Sequence, residues 1–278
     1  MKNKPVWLML TTLILMVLAI TIPGCTWFDT QTATKTLIQA VPESSSAFED
    51  WDIDKLRNDK DLGAVYRKWR DDWSAWLEDL GIYYGDVKQV ARIDGSTVRI
   101  ISGDLNTDDI TAKLAELEYK EGTNKGQERW ENASLDQWVA FPAGLLLAGK
   151  KNDVEACLTV VNREETQIDS MWDNSRVQSV VGRLPAGVRT RIGTKTELND
   201  AITAWGCVWQ SGDQSTLRLK AVYRFDGTWA IDDAKEAIQN YWQAQNHYKV
   251  HLSESGQYLE VTGVIDIDDF QELLPKVS

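Results

Sequence analysis

The chain has 278 residues, with 30 Lys and Arg against 42 Asp and Glu and a formal net charge of −12. A hydrophobic content of 43% with six prolines excludes a disordered or low-complexity chain. The acidity argues against nucleic-acid binding, which needs a basic footprint. The length allows one large domain or two small ones with a sizeable core, and a single long apolar segment excludes a multi-span membrane protein.

In chain order, Lys2 and Lys4 precede an uncharged run from Val6 to Ile22, the pattern of a secretory signal. The run ends in Ile22-Pro23-Gly24-Cys25, which resembles the lipobox of bacterial lipoproteins. The resemblance implies cleavage after Gly24, a signal peptide over 1–24, a diacylated Cys25 and a lipidated tether over 25–36. The alternative is an uncleaved anchor, since seventeen apolar residues reach the lower limit for a spanning helix. Either reading places the body outside the cytoplasmic membrane and attached to it.

Next, Leu62, Val65, Tyr66, Trp69, Trp73, Trp76, Leu77 and Leu80 follow one helical stripe across 61–80. Three Trp on such a stripe are read as core rather than as a sugar platform. Beyond it, the body repeats itself. Gly103 is followed five residues later by Asp108-Asp109, Gly227 by Asp232-Asp233 and Gly263 by Asp268-Asp269, with a shorter copy at Gly149 and Asn152-Asp153. Strand-like runs precede these segments at 97–101, 145–147, 217–225 and 258–261. Helical runs follow at 110–117, 154–161 and 234–242, with room for one or two turns at 270–274.

Turn signals at Asp94-Gly95, Asp213-Gln214 and Ser255-Gly256 make each strand the second arm of a hairpin. The Asp pairs are expected to cap the helices that follow. The predicted fold is therefore α+β, with two tandem related modules of antiparallel β-hairpins and helices packed on one face of each. The modules span 37–166 and 184–278, joined by a connector over 167–183.

Several chemical readings fail on spacing. Asp104-x-Asn106-x-Asp108 lacks the Gly and Glu of a calcium loop. Gly144 to Lys151 ends in Lys where a phosphate loop needs Ser or Thr, and its interior is an apolar strand. His247 and His251 fall on a strand-like alternation, about 13 Å apart on one face, too far to share an ion. No cofactor or metal is expected. Cys157 and Cys207 are either a disulfide or two separately buried thiols.

Binding candidates remain. Trp229 lies inside a Gly-to-Asp turn, and it and Trp130 are the aromatics least easily assigned to the core. In 217–225 Arg218, Lys220 and Arg224 alternate with apolar residues, and Arg189 and Arg191 do so in 188–192. Were these strands neighbours, five cations would line one open sheet face, suited to anionic lipid headgroups or an anionic glycan. The expected function is a non-enzymatic binding or assembly component of the cell envelope, with an envelope protein, anionic lipid or glycan as partner. Two rivals stand beside it. One is a solute-binding lipoprotein of a transporter, which would need parallel lobes. The other is a carboxylate-dependent glycan-acting enzyme, which would need an acid pair about 5 to 10 Å apart in a cleft.

Overall fold

The computed structural model describes residues 34–124, 126–162, 168–213 and 215–272. The signal peptide, Cys25 and most of the tether lie outside them. No helix among the described residues is long and apolar enough to cross a membrane.

The strands are β1 (Ala47–Asp52), β2 (Val87–Ile93), β3 (Arg99–Gly103), β4 (Lys120–Asn124), β5 (Gln127–Asn132) and β6 (Gln137–Ala140). They continue as β7 (Leu145–Lys150), β8 (Arg189–Gly193), β9 (Ile202–Ser211), β10 (Thr216–Phe225), β11 (Tyr248–Ser255) and β12 (Tyr258–Asp266). Together they form a mixed α/β protein around one antiparallel sheet, in the order β11-β12-β10-β9-β8-β1-β2-β3-β7-β6-β5-β4. The expected pair of separate sheets is thus corrected to one continuous sheet. The joint is β1, which pairs β2 on one side and β8 on the other. Two-sided pairing leaves β1 no open edge, which removes a row of unpaired backbone groups from the middle of the molecule.

Turn chemistry fixes the hairpins. Gly95 and Gly256 adopt φ of +77° and +63° in the β2–β3 and β11–β12 turns, a region open to glycine without steric cost. Both faces of the sheet are apolar, so both need cover. On one face, Trp51, Val90, Ile101, Cys207, Trp209, Leu219 and Val261 lie under helices. These helices are α1 (Ile53–Asn58), α2 (Gly63–Asp79), α3 (Thr107–Glu116), α6 (Trp229–Ala244) and α7 (Ile267–Gln271). On the other face, Phe48, Ala91, Ile100 and Leu147 pack on α4 (Lys151–Val161) and α5 (Ser175–Val181). Helices therefore sit on both faces, not one. The reason is visible in β7 and β9, whose middle residues are buried without alternation.

The stripe on α2 behaves as expected, burying Val65, Trp69, Trp73 and Leu77. The Asp pairs do not. Helix α3 is capped by Asn106, whose side chain accepts from the Asp108 amide, while Asp109 accepts from the Asn106 amide group at 2.7 Å. Helices α4, α6 and α7 have no side-chain cap. Their acids lie within the first turns, where they complement the helix dipole without filling the cap position. Asp153 instead accepts from the backbone and hydroxyl of Thr97, tying α4 to the β2–β3 turn. Cys157 and Cys207 are free thiols buried in opposite faces of the sheet, so no disulfide joins them.

Candidate functional site: an arginine row with aromatic walls

Strand register assembles the site. Cross-strand partners in an antiparallel pair share a face. Reading across the sheet, Cys207 opposes Arg191, Arg191 opposes Glu49, Glu49 opposes Arg92 and Arg92 opposes Arg99. Four charged residues from β8, β1, β2 and β3 thus stand in one line on the face that carries α2 and α6. The adjacent row runs Trp209, Arg189, Trp51, Val90.

Glu49 is the hub and is fully buried, with 0% exposure. Its Oε1 accepts from Arg189 Nε at 2.9 Å and from the Trp51 indole at 2.8 Å. Its Oε2 accepts from Arg92 Nη2 at 3.0 Å and pairs with Arg191 Nε at 3.5 Å. Burial pushes the Glu49 carboxyl up, but Arg189, Arg92 and Arg191 outweigh it and hold the group below its ordinary value. One anion facing three cations leaves the cluster positively charged.

Arg189 is 5% exposed, and its guanidinium lies between two indoles, 4.9 Å from the Trp51 ring and 4.4 Å from Trp209. Such stacking stabilises a desolvated cation by about 2 kcal/mol. Its Nη1 has no hydrogen-bond partner among the described residues. Arg191 reaches Asp94 at 3.0 Å and lies over Trp205 at 5.6 Å. The Trp205 indole fits there because β8 has Gly193 opposite it; a Cβ on Gly193 would lie 2.5 Å from Trp205 Nε1.

Arg189, Arg191, Asp94, Trp205 and Trp209 line a cavity of about 560 Å³ together with Tyr241 and Trp242 of α6 and His247. Lys195 and Glu197 also line it, and both are exposed. His247 Nε2 accepts from Trp209 Nε1 at 3.0 Å, which leaves the ring proton on Nδ1, where no partner among the described residues meets it. Burial lowers the His247 pKa to about 4, so the ring is neutral at physiological pH. The inventory is rich in donors: guanidinium, ammonium, phenol and imidazole N–H groups. Asp94 and Glu197 are the acids among the residues lining this cavity.

A second cavity of about 310 Å³ adjoins the same row from the α2 side, lined by Trp51, Trp73, Arg92, Arg99, Gln137 and Lys150 among others. Arg99 lies over the Trp76 ring at 4.9 Å. A third cavity, of about 520 Å³, opens on the opposite face beside Asp52, Lys55, Gln89 and Ser102. Asp52 and Asp50 share that face two residues apart. Asp52 is committed to capping α1 through the Lys55 amide, and Asp50 is sealed under Thr34, outside the cavity lining.

The five cations singled out in the sequence do not share a face. Arg218, Lys220 and Arg224 lie on the side opposite Arg189 and Arg191, because Lys220 opposes Val208 and Val208 opposes Thr190. They pair with Asp213, Glu260 and Asp226, respectively. Trp229 is the first residue of α6, 76% exposed, and is not among the residues lining the cavities. Trp130 is half-buried on β5 and donates to Glu128.

Glu49, Arg92, Arg99, Trp51, Trp209 and Tyr241 went unselected in the sequence. A signal was present in Phe48-Glu49-Asp50-Trp51, two adjacent acids inside a strand-like run, where one of them must face apolar surroundings. Among the described residues no group of His, Cys, Asp and Glu is arranged to hold a metal ion. Comparison with known proteins finds no family model that matches the chain, and no curated protein or solved structure similar to it.

Proposed function

We propose that the chain is an extracytoplasmic lipoprotein, anchored through Cys25, that acts as a non-enzymatic binding component of the cell envelope. Its ligand seat is the cavity between β8–β10 and α6, and its ligand is an anion with a flat apolar or sugar body. The observation that carries this reading is the guanidinium of Arg189, stacked between two indoles with one unpartnered amino group, beside Arg191 on the wall of an aromatic cavity. Guanidinium groups bind carboxylates and phosphates in a forked geometry, and desolvation between rings strengthens such contacts. Cationic donors that outnumber the acids around them favour an anion in a chain that is otherwise acidic.

Within this reading the body comprises two related modules, 37–166 and 184–278, joined at β1 and β8. Supporting it, strands β2, β3, β7 and β6 run outward from β1 as β9, β10, β12 and β11 run outward from β8. The repeated Gly-x4-Asp-Asp segments fall at matching places in the two halves. The β4–β5 hairpin would then be an addition to the first.

The test is a titration followed by tryptophan emission, using benzoate, phosphate and galacturonate against benzyl alcohol and galactose. Saturable changes with the anions only, weakened about tenfold or more in Arg191→Gln, are expected. Equal responses to neutral and anionic compounds, or none, would overturn the binding assignment. For the anchor, Cys25→Ser is expected to move the protein from the membrane to the soluble fraction.

A further inference from the structure

Two cavities on the α2/α6 face flank one buried carboxylate, Glu49, which lines neither. Arg92 and Arg99 line the smaller, Arg189 and Arg191 the larger, and Glu49 binds Arg92 on one side and Arg189 and Arg191 on the other. From Arg191 to Arg99 the row crosses three strand spacings, about 14 Å at ~4.8 Å per strand. Along that length Arg191, Arg92 and Arg99 share a line with the buried Glu49, which stands between the first two, and an indole lies beside each end: Trp205 by Arg191 and Trp76 by Arg99. The Arg191 and Arg92 side chains are 25% and 44% exposed, with Tyr241 of α6 lining one cavity and Trp73 of α2 the other. A small monoanion would engage only one end. A narrow chain with several negative charges and flat ring faces suits three cations set about 10 and then about 5 Å apart, and it suits the aromatic walls.

We propose that the row from Arg191 to Arg99 is the floor of one groove for a linear acidic oligosaccharide bearing a carboxylate on successive sugar rings. This rests on the anion-binding reading above and names its ligand class. Carboxylates pair with Arg191, Arg92 and Arg99 in turn, and sugar rings lie against the indole faces. Each further unit then binds at a site already brought close by its neighbour, so affinity grows with length until the row is filled.

The test is calorimetric titration of the full chain with galacturonate oligomers of one to six units, and with neutral malto-oligosaccharides of equal length. Affinity is expected to rise about tenfold or more from the monomer to the trimer or tetramer and then level. Arg99→Gln is expected to level at a shorter length. Arg99→Lys, which keeps the charge and covers the chance that glutamine perturbs the stack on Trp76, is expected to retain a rise. If monomer and hexamer bind equally, the extended groove is wrong and anion binding at the larger cavity stands. If benzoate or phosphate binds and no uronate does, the sugar class is wrong. If no anion binds, the parent reading falls with it, and neutral chains binding as tightly as acidic ones would do the same.

Discussion

Glu49 and Asp50 are adjacent on one strand and equally removed from water, at 0% and 2% exposure, yet they are driven in opposite directions. Glu49 faces three arginines and an indole N–H, and its carboxyl is held below the ordinary range despite burial. Asp50 points to the other face, accepts one hydrogen bond from Thr34 Oγ1 at 2.7 Å, and burial pushes its pKa up to about 7. Burial sets the size of the electrostatic stake; the partners on each face decide the charge. One face of the central strand is therefore an ionised hub, and the other carries a carboxyl that still holds its proton about half the time at neutral pH.

The largest effect expected from this contrast follows removal of the hub. Glu49→Ala would leave buried arginines without their counter-charge and cost about 3–5 kcal/mol. Urea unfolding measures it, and a loss under 1 kcal/mol would mean that the arginines are already solvated. Asp50→Asn should go the other way. With a folded pKa above the unfolded one, native Asp50 holds its proton where the unfolded chain has released it. Its contribution to stability therefore falls as pH rises from about 4 to about 7. The Asn variant should gain roughly 4 kcal/mol over the parent at pH 8, and progressively less toward pH 4. A variant no more stable than the parent at pH 8 would show Asp50 already satisfied as an anion.

His247 sharpens the same comparison at acid pH. Its folded pKa of about 4 lies below the unfolded value, so its contribution is intact above about pH 6.5 and is lost as pH falls toward 4. His247→Gln should flatten that part of the stability profile. The smallest effects belong to the helix starts. Asn106→Ala should cost about 1 kcal/mol in thermal unfolding through loss of a cap. Asp269→Ala, with no cap to lose, should cost under about 0.5 kcal/mol.

Local structure was largely legible in the sequence. The stripe from Leu62 to Leu80 became α2, and the apolar runs ending at Phe225 and Val261 became parts of β10 and β12. Glycine turns placed two of the hairpins. What escaped depended on contacts distant in sequence. Alternation along 188–192 separates Arg189 and Arg191 from Ile192, but it cannot say which side faces the same way as Arg218. That is fixed by the register of β8 on β9. With helices on both faces, polar alternation no longer marks the solvent side. The pairing of β1 with β8 joins residues about 140 apart, and it alone creates the Glu49–Arg189 contact. The Asp pairs misled because their position near helix starts suits both a cap and a first-turn charge, and at the helices that follow them only Asn106, before α3, places a side-chain oxygen on a first-turn amide.

The measurement that bears most directly on the central claim is a crystal structure of the chain with trigalacturonate. The expected result is a carboxylate within hydrogen-bond distance of Arg191 or Arg189, further carboxylates along Arg92 and Arg99, and Glu49 still buried behind them. A trisaccharide bound away from the row, or one whose carboxylates face solvent while neutral hydroxyls meet the arginines, would contradict it.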